Sequence, residues 1–246
     1  MNNELAHRQA STAHPPVRIR LLGRFELTTG NRPLRVTPAG ERLLAYLAIR
    51  PDPVGRYAVA SALWPDCTDV RAAANLRSTL WRLPGHNQAE VVTSSAGRIA
   101  LMPAVSVDIH DVGDQLIRRS ATEASVATLR QDVLPDWPED WLTATREWFR
   151  QVRLHALEAL SDQHRAAGRL DAALDAGLAA VTCDPLRESA HRRLVRLHIA
   201  EGNFSEALRQ YDIYRRLVQA ELGLPPSPQF RRLMAPLLGR PLDQHG

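Results

Sequence analysis

The sequence predicts an α+β winged helix-turn-helix domain followed by an all-α tetratricopeptide-like domain. Three observations lead there. Apolar residues alternate at an interval of two from Val17 to Leu27. Three segments of helical spacing then run up to a hairpin-like stretch around Gly97. Finally, Gly168-Arg-Leu-Asp-Ala-Ala-Leu174 recurs as Gly202-Asn-Phe-Ser-Glu-Ala-Leu208, an offset of 34 residues, which is the tetratricopeptide period. The predicted limits are a loose tail over residues 1–16, a winged-helix domain over 17–110 and a helical domain over 111–246, with 111–138 as the joint.

In "VRIRLLGRFEL", Val17, Ile19, Leu21, Phe25 and Leu27 share one parity and Arg18, Arg20, Arg24 and Glu26 the other, which reads as one strand with a buried face. Thr29-Gly30-Asn31-Arg32 supplies turn chemistry, and Leu34 and Val36 resume the alternation in a hairpin. Pro38 then opens a helix through Leu43, Leu44, Leu47 and Ala48, closed by Pro51 and Pro53. A second helix runs from Arg56 to Trp64 and stops at Pro65; Asp66 or Thr68 caps the third. Pro84-Gly85 ends that helix, and "EVVTSSAGRIAL" forms a hairpin around Ser94-Ser95-Ala96-Gly97, with a further strand at Val105 and Val107. In the first repeat, Gly168, Ala173, Ala180 and Pro185 supply a turn glycine, two small residues for close helix contact and a terminal proline. The second keeps Gly202 and Ala207 but has Tyr214 and Gln219 at the later positions.

The third helix, "RAAANLRSTLWRL", has two sides. With Leu76 at zero and about 100° per residue, Ala72, Ala73, Leu76, Thr79, Leu80 and Leu83 gather within roughly 60° of one direction, a packing face. Arg71, Asn75, Ser78 and Arg82 collect at about 200° to 260°. Arginine reads guanine bidentately, asparagine reads adenine, and serine serves base or phosphate. No acidic residue lies between Arg71 and Leu83; a solvated face usually interleaves glutamates for i to i+4 pairing, whereas phosphate would repel them. Arg77 and Trp81 lie on the flank, and Trp81 is expected to pack on the hairpin or the preceding helix. Arg56 and Arg98 read either as phosphate or minor-groove contacts or as plain surface arginines.

Composition narrows the function. All 31 basic residues are arginine, which removes every lysine-dependent chemistry. Residues 1–110 carry 13 Arg against 8 Asp and Glu, the rest 18 against 19, so the head alone calls for an anionic partner. Cys67 and Cys183 have no metal-ligand spacing, the first sixteen residues lack an apolar core, and no apolar run could span a membrane, so a reduced cytoplasmic protein is expected. His155, His164, His191 and His198 form no metalloprotease pattern, and glycine-rich nucleotide or nucleophile motifs are absent. Asp136, Glu139 and Asp140 beside Trp137 and Trp141 read as acids stabilising a helix start rather than as paired catalytic groups. Neither an enzyme, a cofactor nor a metal site is expected.

The segments "LLGRFEL", "ERLLAYLAIRP", "VASALWPD" and "NLRSTLWRL", with "LPDWPEDWLTATREWFRQVRLHALEAL" and "DPLRESAHRRLVRLHIAEGNFSEALRQYDIYRRLVQAELGLPPSP", resemble the Streptomyces antibiotic regulatory protein (SARP) family over nearly all of residues 17–238. That family joins an OmpR-type winged helix to a bacterial transcriptional activator domain. The resemblance implies a short-form activator, often of secondary metabolism, that binds repeated promoter sites in double-stranded DNA and recruits RNA polymerase. It also implies that Arg71 to Leu83 is the recognition helix and Ser94 to Arg98 the wing. The candidate DNA contacts are therefore Arg56, Arg71, Asn75, Arg77, Ser78, Arg82, Ser94, Ser95 and Arg98. A head with so few arginines binds weakly alone, and three or four base pairs cannot select one promoter, so a homodimer or cooperative assembly on DNA is expected. The competing reading is a tetratricopeptide-type interaction scaffold with a degenerate winged helix.

Overall fold

The computed structural model describes residues 16–84, 91–117 and 123–239. The expected tail therefore falls, but for Pro16, outside the described residues. So does Gly85 of the expected break. The chain divides into two compact units, one made of residues up to Val112 together with Val133–Thr145, the other of Gly113–Asp132 and Arg146 onward.

The first unit holds two sheets and three packed helices. β1 (Val17–Arg20), β2 (Glu26–Thr29), β3 (Arg32–Pro33) and β7 (Val105–Val107) form a sheet in the order β3-β2-β1-β7, with β1 parallel to β7. The single strand expected over residues 17–27 is in fact an antiparallel pair, Val17 opposite Thr29 and Arg20 opposite Glu26. Leu21 and Leu22 explain the break: both are buried, 0% and 1% exposed, which no alternating strand allows for neighbours. The Asp108 carboxylate takes the amides of Leu21 (2.9 and 3.0 Å) and Leu22 (2.9 Å), and Gly23 turns the chain at φ 80°. Those backbone amides would otherwise compete for strand partners. Burial pushes the Asp108 carboxyl above its ordinary range, against the pull of these amides.

α1 (Pro38–Ala48) begins as its sequence dictates, with proline in the first turn and Thr37 Oγ1 accepting from Gly40 N at 3.2 Å. Its apolar side meets α2 (Arg56–Leu63) and α3 (Asp69–Trp81) around Leu43, Leu47, Val59, Leu63 and Leu76. Ile99 closes the cluster from a sheet of β4 (Val54–Gly55), β6 (Arg98–Leu101) and β5 (Val92–Ser95). Ala96 (φ 49°) and Gly97 (φ 74°) make the two-residue turn between β5 and β6, where positive φ at both positions suits the strand twist.

Residues 133–145 return to this unit from within the expected joint. Leu134 N donates to Leu21 O (2.9 Å), and the Trp137 ring stacks on Phe25 at 6.1 Å. Glu139, read from sequence as an acid near a helix start, does stand just before a 3-10 turn, and its carboxylate also binds Arg42 (2.6 Å) and the Trp141 indole N–H (2.9 Å). It anchors the segment on α1. Asp140 does begin a short 3-10 turn through Leu142.

The first residues of α4 (Asp108–Ile117) belong to the first unit and the rest to the second, which contains α5 (Glu123–Leu129), nearly all of α6 (Thr143–Ala166), α7 (Leu170–Cys183), α8 (Glu188–Ala200), α9 (Phe204–Leu222) and α10 (Pro228–Leu238). The repeat is visible atom by atom. Gly168 and Gly202 turn at φ 72° and 76°, a conformation that favours glycine, and Arg169 N to His164 O (2.9 Å) recurs as Asn203 N to His198 O (2.8 Å). Ala173 and Ala207 are both fully buried. At Gly177 a Cβ would stand 2.6 Å from Leu194 Cδ2, so α7 and α8 meet at a distance only glycine allows. The second copy departs at Tyr214 because its neighbour is α10, whose Phe230 ring lies 5.6 Å away.

His191 is buried in the same layer. Its Nε2 donates to Pro185 O (2.9 Å) while Nδ1 accepts from Gln210 (2.7 Å), which fixes the neutral ring. Burial holds its pKa below 6.5, against the opposing effects of the Pro185 carbonyl, Asp184 and Glu188. The unfolded chain therefore takes up this proton first, and the contribution of His191 is intact above about pH 6.5 and lost as pH falls through the folded value. Urea midpoints are expected to drop between pH 7.5 and 5.5 in the native chain and to drop less in His191→Asn.

Candidate nucleic-acid interface

α3 divides its residues as its spacing requires. Ala72, Leu76 and Thr79 are buried, and Ala73, Leu80 and Leu83 are half-buried against the core. Thr79 returns its hydroxyl to Asn75 O (2.8 Å), which removes a buried polar group from the packing face. Thr68 occupies the position before the helix, yet its side chain makes no capping bond; Asp69 places a carboxylate in the first turn instead.

Arg71, Arg77, Ser78 and Arg82 are exposed. Among the described residues, no carboxylate pairs with any of these three arginines. Elsewhere in the unit the pattern differs: Arg18 meets Asp111, Arg20 and Arg24 meet Glu26, and Arg42 meets Glu139. These four arginines of the sheet and α1 are thus compensated within the unit, whereas Arg32 on β3 and the three arginines of α3 have no carboxylate partner among the described residues. From Arg71 to Arg82 the helix rises about 16 Å, roughly three turns of donors.

The other candidates are placed less freely. Asn75 is half-buried with its amide facing Cys67 Sγ at 3.9 Å. Arg56, at the start of α2, donates to Ser94 Oγ (3.0 Å) and so joins that helix to β5. Ser95 is exposed on the hairpin. Arg98 is exposed too, but its guanidinium is bound to Pro53 O at 2.6 and 3.0 Å.

Trp81 overturns its expectation. It is 84% exposed and packs on neither the hairpin nor α2, because the cluster is already closed by Leu80 and Leu83 on the adjoining face. Val70 is 81% exposed and Tyr57 68%, the latter with its hydroxyl 3.5 Å from Asp69. Val70 escapes a sequence reading that starts the helix at Arg71, whereas the helix begins at Asp69. Between α2 and α3 lies a cleft of about 270 Å³ bordered by Arg56, Tyr57, Asp69 and Arg77. No group of acidic, histidine or cysteine side chains among the described residues could hold a metal ion. No helix among them is long and apolar enough to cross a membrane.

The family model described as the bacterial transcriptional activator domain matches residues 107–238. Among solved structures, the chain is similar to that of Mycobacterium tuberculosis EmbR in complex with a low affinity phosphopeptide. The identity is 24% and the TM-score 0.74, over 93% of this chain and 66% of that one. At that identity the likeness is one of fold, and the chain spans just under two thirds of EmbR's length. No protein of curated function matches significantly.

Proposed function

This chain belongs to the bacterial transcriptional activator domain family as a regulator of the SARP type, and from that premise we propose that it is a cytoplasmic activator reading double-stranded promoter DNA through α3. The first unit acts as a winged helix-turn-helix of the OmpR type, with α3 in the major groove and the β5–β6 hairpin as wing. The observation that carries this is the set of exposed arginines on α3, Arg71 and Arg82 on one flank and Arg77 on the other, which lack a carboxylate partner among the described residues.

Each arginine on a phosphate adds about 0.9 to the salt slope, and one helix reads too few base pairs to select a promoter. Two heads therefore act together on repeated half-sites. The tetratricopeptide-like helices α6 to α10 serve to pair them and to touch RNA polymerase, for genes of a secondary-metabolite cluster. Catalysis has no role in this reading.

Gel shifts of the full chain on its own upstream region, with base pairs changed one at a time, test it. Arg82→Ala should relax discrimination at particular positions, by about 1 to 3 kcal/mol, while Arg56→Ala, at the start of the helix that crosses the backbone, should weaken all duplexes alike. Identical behaviour of the two variants would reject the recognition-helix assignment. A scaffold with a degenerate winged helix would show no sequence-dependent shift at all.

A further inference from the structure

The exposed arc of α3 is wider than its arginines. Measured from Leu76 at about 100° per residue, the point opposite the core lies between Ala74 at about 160° and Ser78 at about 200°. Arg71, Arg82 and Asn75 follow at about 220° to 260°, while Trp81, Val70 and Arg77 occupy about 140° down to 100° on the other side. Val70, Ala74, Arg77, Ser78 and Trp81 are all exposed, Val70 at 81% and Trp81 at 84%. The helix thus presents a small-residue ridge flanked by a polar stripe on one side and, on the other, a stripe that is apolar except for Arg77.

Val70 and Trp81 stay in solvent, outside a core that Leu80 and Leu83 already close. The occupant of the arc must satisfy both flanks within one helix width. It has to offer anions to Arg71, Arg77 and Arg82, and apolar groups to Val70 and Trp81. Ala74 and Ser78 between them let it approach the backbone closely. A major groove does all three at once, because thymine projects its C5-methyl into the groove while phosphates line both walls. A protein surface fitted to Val70 and Trp81 would need acidic groups for the arginines on either side.

We propose, resting on the DNA-binding reading above, that Val70, Ala74 and Trp81 form a second recognition stripe that selects thymine by its methyl group, beside the arginine stripe. Val70 and Ala74, in the N-terminal half of α3, lie where recognition helices meet base edges. Trp81 follows Val70 by 11 residues, about 16 Å along the axis, and closes the stripe against the sugar edge.

Replacing thymine by deoxyuridine removes only the methyl and tests this directly. The full chain is titrated by fluorescence anisotropy onto the duplex it protects, and onto the same duplex with each thymine replaced singly. The native chain should lose about three- to fivefold in affinity at one or two of those positions, the value of one buried methyl. Val70→Ala should bind the thymine duplex less tightly and be insensitive to deoxyuridine at the position that Val70 covers, whereas Arg82→Ala should keep the full sensitivity.

Equal affinity of the native chain for both duplexes would overturn the thymine stripe while leaving DNA binding through α3 standing. Intact DNA binding by Val70→Ala and Trp81→Ala, with loss of transcription, would overturn it in favour of a protein partner on this flank. Binding to no duplex would remove the DNA-binding reading itself, and the stripe with it.

Discussion

Replacing Arg71, Arg77 and Arg82 together by alanine is expected to lower operator affinity by roughly two orders of magnitude or more at moderate salt. The slope of log affinity against log salt should flatten by about 2 to 3, one increment of about 0.9 for each phosphate no longer neutralised. The three side chains are exposed and, among the described residues, have no carboxylate partner, so no described ion pair of the fold is lost with them. Thermal melting of the triple variant should therefore match the native chain, which separates a lost interface from a lost fold. An unchanged salt slope would take α3 out of the interface altogether.

The largest expected loss of stability lies in the second unit, at Glu158. Its carboxylate is buried on α6 and accepts from Arg187 Nε (2.9 Å) and Nη2 (3.2 Å), from the Ser189 hydroxyl, and pairs with Arg193 at 3.3 Å. Desolvation works against the charged form, and the donors from Arg187, Ser189 and Arg193 outweigh it, so the carboxyl stays below its ordinary range. Glu158→Ala is expected to cost about 2 to 4 kcal/mol, because Arg187 and Ser189 then stay desolvated without their acceptor. That is a large share of the roughly 5 to 15 kcal/mol typical of a folded domain. The urea midpoint should fall steeply, and Glu158→Gln, which keeps an acceptor, should fall less. Equal midpoints for the two substitutions would mean that charge alone matters there.

Glu158 also shows why local patterns run out. Its partners Arg187 and Ser189 lie 29 and 31 residues away, and nothing in the spacing of α6 says that a glutamate on its apolar side will be paired. The candidate interface was more legible. The division of α3 into a packing face and a carboxylate-free polar stripe follows from the period of the helix, and Ala72, Leu76 and Arg71 fall where that period puts them. Trp81 did not follow, since burial of a flanking residue depends on whether neighbouring elements already fill the core. Arg98 was legible as exposed but not as bound to Pro53, an interaction that depends on β4 lying beside β6.

By itself the sequence determined whatever consecutive residues control. Gly97, Gly168 and Gly202 mark positions of positive φ that other side chains resist, Pro38 and Thr37 start α1, and the 34-residue offset sets two helix pairs in register. Only the tertiary structure decided what distant groups do to one another. The Asp108 carboxylate meets the amides of Leu21 and Leu22 across 87 and 86 residues, and splits an apparent strand into two. Glu139, at the start of a short 3-10 turn, also reaches Arg42, 97 residues before it, and holds a piece of the joint on the first unit. A buried charge or amide must find a partner wherever the fold supplies one, and chain spacing carries no record of where that is.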